Sequence, residues 1–409
     1  MKRKRIILFG NFGTLNWGNE GTLEATIQNV RECCPDRSII CICTEPDDVR
    51  ERYGIGTFPL RAPYTRFFKN TNSLIIKALR RVFLAPPVTV LHALRGAGLM
   101  MSSTTMIVPG TGLLNDFGTG PLGVPYLIFK WCLLAKIFGV KLVFLSNGAG
   151  PLREKWSRVF IVHALKLADY RSYRSEKDRV FVKKIGVEAG GDHVLPDLAF
   201  SLKNSMFDQK MNGESSRTIG LGIMDYYGEH GISKGNEQVH ENYLNTMCQF
   251  VEYCLQKQFK IRMLIGDSTY DTSVKQEFLK LIRERVDEQY LSNVLDGEIK
   301  TLDDLLVDLS RSEIIISPRF HNIIYGMMLG KPVLSLSYHN KFESLMESCD
   351  MTDYALNLDN LDINLLINTF ESLYGNREDV AGKVIKIKKD YRDTIAHEFR
   401  ELIHNGVIY

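Results

Sequence analysis

"EIIISPRFHNIIYGMMLGKPVLSLSYHNK", residues 313–341, holds the two periodicities on which the fold turns. The unbroken apolar run Ile314–Ile316 is the signature of a strand buried on both faces. After Pro318 the spacing becomes helical, and "NIIYGMMLG" reads as a short apolar helix. "PVLSLS" then reads as a second buried strand. A strand, a helix and a strand in succession form a βαβ unit, which commits the chain to a parallel sheet.

The same rhythm runs through the chain. Before residue 203, "RIILF", "SIICICT", "TTMIVPG" and "KLVFLSN" read as strands, with helical segments such as "GTLEATIQNVREC" and "EKWSRVFIVHALKLA" among them. A polar stretch at 203–217 interrupts the pattern. It resumes with "RTIGLGIM", "FKIRMLIG" and the opening stretch. The expectation is an α/β chain of two halves: residues 1–202, a linker at 203–217, residues 218–375, and a charged C-terminal helix at 376–409 that packs back on the first half. Ligands of such sheets bind at the carboxyl ends of strands, and a cleft between two halves is a natural active site.

Composition narrows the class. At 409 residues, 44% hydrophobic and 24% charged, the chain is an ordinary globular one with room for two domains. A net charge of +3 gives no argument for nucleic acid. The first apolar run, "IILF", is too short for a secretory signal, and no stretch is long enough to span a bilayer, so a cytoplasmic location is expected. Of eight cysteines, Cys41 and Cys43 alternate within one strand and read as core thiols. No His/Cys spacing fits a zinc site, and no metal is expected.

One stretch departs from the average. From Arg52 to Asn115 there is no aspartate or glutamate, while Arg61, Arg66, Lys69, Lys77, Arg80, Arg81 and Arg95 stand among aromatic and aliphatic residues. Two readings stay open: contact of residues 61–95 with an anionic membrane, or a solvated helix pair whose apolar side packs inward.

Chemistry is concentrated after the strands. Arg319 and His321 are two apart, so in extended backbone both point the same way. Asn322 stands near the cap of the helix that follows, whose first turn offers amide N–H groups and the positive end of a dipole. A guanidinium suits carboxylate or phosphate, and an imidazole beside it suits proton transfer. Lys341 ends the loop after the next strand. Arg174 leaves the short strand "YRSYR", and Asp197 is placed to orient an arginine. In the first half, the glycine-rich turns "GNFGTLNWGNEG", "VPGTGLLND" and "SNGAGPL" bring Asn16, Asn19, Glu20, Asn115 and Asp116 to strand ends. Glu20 or Asp116 is the candidate base for a hydroxyl. None of these turns has P-loop or GxGxxG spacing.

These motifs together resemble the polysaccharide pyruvyl transferase family. The resemblance rests on "NWGNEG", "PGTGLLND", "SNGAGPL", "YRSEKD…LPDLAF" and, most specifically, "TLDDLLVDLSRSEIIISPRFHNIIYGMMLGKPVLSLSYHNK". It implies two Rossmann-like domains facing across a cleft, similar to GT-B glycosyltransferases. It also implies transfer of a pyruvyl group from phosphoenolpyruvate, as co-substrate and without a further cofactor, to two hydroxyls of a sugar or lipid-linked acceptor. Arg174, Arg319, His321, Asn322 and Lys341 then fall on the donor, with His321 and Arg319 catalytic. Asn16, Asn19, Glu20, Asn115 and Asp116 fall on the acceptor. The chain departs from the family where Asn19 replaces a common Asp and where Ser175 follows Arg174. The rival readings are a GT-B glycosyltransferase using a nucleotide sugar, and a non-catalytic assembly factor at the inner face of the membrane.

Overall fold

A computed structural model of the protein describes residues 4–62, 85–116, 118–208, 217–228 and 236–409. It contains two sheets of parallel strands flanked by helices. The first is ordered β3-β2-β1-β4-β5-β6-β7, from β1 (Arg5–Phe9), β2 (Ser38–Cys43), β3 (Gly56–Pro59), β4 (Ser103–Pro109), β5 (Lys141–Asn147), β6 (Tyr170–Tyr173) and β7 (His193–Val194). Strand β4 is buried along its whole length, as a central parallel strand must be when helices cover both faces. Between these strands run α1 (Trp17–Cys33), α2 (Pro46–Tyr53), α3 (Ala85–Met101), α4 (Val124–Ile137), α5 (Lys155–Lys166) and α6 (Glu176–Lys184). One core joins Leu99 and Met100 of α3, Trp131 of α4 and Ile161 of α5 to Ile7, Met106 and Phe144 of the sheet. These three helices therefore form one layer on one face.

The second sheet is ordered β10-β9-β8-β11-β12-β13. Its strands are β8 (Thr218–Gly222), β9 (Lys260–Leu264), β10 (Val294–Leu295), β11 (Ile314–Ser317), β12 (Val333–Ser337) and β13 (Ala355–Asn357). The longer helices here are α7 (Glu237–Gln256), α8 (Asp271–Arg285), α9 (Leu302–Ser310), α10 (Phe320–Met328), α11 (Asn340–Ser348), α12 (Ile363–Gly375) and α13 (Arg377–His404), with one further turn at Glu288–Leu291. Strand order reverses between β1 and β4 in one sheet and between β8 and β11 in the other. Such switch points leave a crevice at the carboxyl edge. The opening stretch lies at the second of them: β11 runs into α10, and β12 follows.

Chain order and spatial grouping differ. One compact unit comprises residues 1–14, 22–198 and 395–409, and the other residues 15–21 and 199–394. The division at Leu198/Ala199 compares with an expected domain end at 202. Residues 203–208 belong to the second unit instead of to a linker, with a short 3-10 turn at Ser205–Asp208. Residues 209–216, the remainder of that expected linker up to Arg217, lie outside the described residues, as do 63–84 of the basic stretch. Helix α13 begins in the second unit, and its final residues group with the first. There Ile395 and Phe399 are buried, and Thr104 donates to the Tyr409 carbonyl.

Candidate functional site

In the second unit, Arg319 is the N-cap of α10, with its amide donating to Ser317 Oγ at 3.0 Å. Asn322, expected near the cap, sits one turn inside the helix and reaches back from Nδ2 to the same Ser317 oxygen at 3.3 Å. Arg319 itself is extended, at φ −95° and ψ 116°, and Pro318 disfavours helical backbone at Ser317 before it.

The Arg319 guanidinium grips Asp271, the first residue of α8. Nε donates to Oδ2 at 2.9 Å and a terminal nitrogen donates to Oδ1. The pair is buried, with Arg319 12% and Asp271 0% exposed at the side chain. Asp271 Oδ2 also accepts the Gly266 and Asp267 amides at 2.9 and 3.0 Å. Burial opposes the Arg319 charge, and the Asp271 carboxylate together with Tyr338 and Asp267 more than offsets this, so the guanidinium stays protonated. A methyl group on Gly266 would stand 2.8 Å from Arg319 Cγ, so this loop lets the arginine lie flat against its backbone.

The turn after β1 belongs to this unit as well. Trp17 N donates to Gly266 O at 3.0 Å, and Ser268 N donates to Leu15 O at 3.1 Å. Asn16 Nδ2 donates to Asp267 Oδ2 at 2.9 Å. The Asn16 side-chain oxygen accepts the Asn19 amide at 3.2 Å. Glu20 is fully buried in the first turn of α1. His321 and Tyr325 lie one turn apart on α10 and meet this segment. Tyr325 Oη donates to the Trp17 carbonyl at 2.9 Å, and a methyl group on Gly18 would fall 1.9 Å from His321 Nδ1. Asn16, Asn19 and Glu20, read as acceptor-side groups of the first half, are therefore gathered with Arg319, His321 and Asn322.

Lys341 joins the same unit from the first turn of α11. It is not in a loop, because His339 caps that helix by accepting the Lys341 amide at 3.2 Å. Its ammonium lies 5.3, 5.7 and 5.4 Å from the ring centres of Phe320, Tyr338 and Phe342, where it is held by cation–π attraction. A cavity of about 520 Å³ opens on the β9–β10 side of this edge, lined in part by Leu15, Ser268, Lys275, Asp296 and Lys300. None of the residues singled out in the sequence lines it.

The remaining candidates lie in the first unit. Arg174 pairs with Asp197 at 2.8 Å and donates to the Gly110 carbonyl at 2.6 Å. Ser175 caps α6 by accepting the Asp178 amide at 3.2 Å. Both carboxylate oxygens of Asp116 are taken by the amides of Arg153 and Glu154, at 3.1 and 2.8 Å, where α5 begins. This is the work of a helix anchor, and it removes Asp116 from easy service as a base. Asn115 donates to the Gly112 carbonyl. Among the described residues no cluster of His, Cys, Asp and Glu could hold a metal ion, and Cys41 and Cys43 are buried.

Residues 16–340 match the sequence pattern of a family described as polysaccharide pyruvyl transferase. The chain belongs to that family. The matched span begins at Asn16 and ends at Asn340, so it takes in both the turn after β1 and the helix that carries His321. No curated protein matches the chain by sequence. Among solved structures, it is similar to Anabaena HepE in complex with UDP and glucose, at 12% identity over 98% of each chain, TM-score 0.58. It is similar to a UDP-N-acetylglucosamine 2-epimerase at 12% identity over 99% of this chain and 97% of that one, TM-score 0.59. A third is the UDP-GlcNAc 2-epimerase from Neisseria meningitidis bound to UDP-GlcNAc, at 13% identity over 94% of each, TM-score 0.54. At these identities the likeness is one of fold, and it places this pyruvyl transferase family member on the two-domain GT-B plan.

The residue missed in the sequence is Asp271. It stands in "GDSTYD" directly after β9, and its signal was a carboxylate opening a helix at a strand exit, the same position that drew attention to Arg319.

Proposed function

We propose that the protein transfers the pyruvyl group of phosphoenolpyruvate to two hydroxyls of a sugar in a surface polysaccharide or its lipid-linked precursor. One acceptor oxygen bonds to C2 of the enolpyruvate as C3 takes a proton and becomes a methyl group. The C2–O bond to phosphate then breaks, and the second hydroxyl closes the ketal as its proton leaves. Inorganic phosphate is the other product.

The arrangement at the head of α10 carries this reading. Asp271 fixes the Arg319 guanidinium through Nε and one terminal nitrogen, and the other terminal nitrogen takes no part in the pair. That group, the first-turn amides of α10 and the Lys341 ammonium supply fixed positive charge for a phosphate and a carboxylate. His321, seated against Gly18, supplies the proton, either to C3 or to the departing phosphate. Glu20 is the base for the acceptor hydroxyl, and Asn16 and Asn19 shape that side. Asn322 acts as a positioning group. The cytoplasm supplies the donor.

The test is turnover. Purified protein is incubated with phosphoenolpyruvate and galactose- or mannose-type acceptors, lipid-linked ones included. Phosphate release and acceptor mass are followed, with UDP- and GDP-sugars as a parallel arm. Sugar transfer from a nucleotide with no release of phosphate from phosphoenolpyruvate would replace this reading with a glycosyltransferase. Solvent deuterium appearing in the ketal methyl group at a rate that falls in His321→Gln assigns the C3 proton to that residue.

A further inference from the structure

Helices α3 and α4 are apolar on both sides, yet each leaves one side in solvent. In α3, "APPVTVLHALRGAGLMM", the inner side carries His92, Leu99 and Met100, all buried. The opposite stripe carries Val90, Leu91, Leu94 and Met101 at helical spacing, with Leu94 64% exposed. In α4, "VPYLIFKWCLLAKI", Trp131 and Ala135 face inward, while Tyr126, Leu133 and Ile137 face outward, the last 66% exposed. The two helices lie side by side, since a methyl group on Gly96 would touch the Trp131 ring at 2.9 Å. Alongside α4, α5 presents Trp156, 62% exposed, at the edge of an aromatic group formed with Phe160, Phe129 and Tyr126. A helix apolar all round is normally covered, and a row of such helices makes an apolar patch that marks a contact surface.

Charge identifies the cover. From Ala85 to Lys166 the chain has two carboxylates, Asp116 and Glu154, against eight lysines and arginines, of which Lys136 and Lys141 pair with Asp169. Asp116 is already occupied by two backbone amides. Arg95 stands beside Leu94 on α3, and Lys155 and Arg158 flank Trp156. Long basic side chains around leucine, tyrosine and tryptophan suit a surface with negative headgroups above acyl chains. A second copy of this chain meeting the same patch would bring cations against cations. Among the described residues no helix is long and apolar enough to cross a membrane, so the contact is one of lying on the surface.

We propose that the outer face of α3, α4 and α5 docks the protein on an anionic lipid bilayer. This surface differs from the one expected over residues 61–95, since it extends through α4 and α5 to Trp156. It stands whether or not the pyruvyl transfer reading does.

The test is flotation of the full chain with vesicles of phosphatidylcholine alone or mixed with phosphatidylglycerol, at low and high salt. The expected result is co-flotation with the mixed vesicles, weakened by salt. Leu94→Glu with Leu133→Glu, and separately Leu94→Ser with Leu133→Ser, should each lower partitioning about tenfold or more with the thermal unfolding midpoint unchanged. Arg95→Gln with Arg158→Gln should lower it less. Failure of the wild-type chain to float with anionic vesicles, or equal flotation of the leucine variants, would overturn the proposal. So would a concentration-dependent dimer by light scattering that the same leucine changes dissolve, since a second copy would then be the cover.

Discussion

Two arginines leave two strands, and their surroundings differ. Arg174 follows β6 in the first unit and Arg319 follows β11 in the second. Each is locked to a buried aspartate, Asp197 in one case and Asp271 in the other. Past Arg174 the chain caps a helix with Ser175 and turns away. Past Arg319 it places a histidine against a glycine backbone, and a lysine follows on the next helix, framed by three rings. The same ion-paired scaffold thus serves a structural joint in one unit and a chemically equipped edge in the other. An arginine at a strand exit is therefore informative only through its neighbours.

Breaking the pairs tests the shared part. Asp271→Ala should cost about 3–5 kcal/mol in urea unfolding, because it strands a buried guanidinium and leaves two amides without their acceptor. Asp197→Ala should cost a comparable amount. A loss near zero in both would mean that these pairs do not anchor their loops. The difference between the regions is tested by chemistry. His321→Gln should lower phosphate release from phosphoenolpyruvate by about 10²–10⁴ with little change in stability. Arg174→Lys, measured on folded protein, should lower it much less than Arg319→Lys. If the two arginine changes prove equal, the distinction drawn here fails. Gly18→Ala should lower turnover by about 10² through displacement of the imidazole.

The smallest effect concerns a buried cation. Lys331, 7% exposed, precedes β12, and burial lowers its pKa from 10.5 to about 8. Between those values the unfolded chain binds the proton that the folded chain has released. Stability from this group therefore rises as pH increases from 8 to 10.5. Lys331→Met should flatten that rise in urea unfolding measured across the window.

Local pattern carried much of this. The apolar runs at β1, β2, β4, β5, β8, β9, β11 and β12 are legible because buried parallel strands need continuous hydrophobic sequence. Arg319 and His321 were picked out as two apart in extended backbone, whereas α10 begins at Phe320, so His321 stands within the helix and only Arg319 precedes it. Asp271 was not legible, since it lies 48 residues from its partner and only tertiary structure joins them. Nor was the grouping of Leu15–Gly21 with the second unit, because hydrophobic spacing says what a segment forms and not which sheet it joins. Lys341 was read into a loop because a histidine is an uncommon cap, and Asn322 was read as a cap because Arg319 is an unusual one.

The discontinuous make-up of the two units has a consequence for synthesis. The chain passes from one unit to the other at residues 14/15, 21/22, 198/199 and 394/395. Most of the first unit is made before the second, yet it also needs Ile395–Tyr409, which follow residue 394. It must therefore wait, with part of its core uncovered, while the whole second unit is translated. A stop after residue 394 would strip the N-terminal unit and leave the C-terminal one with its full set of residues.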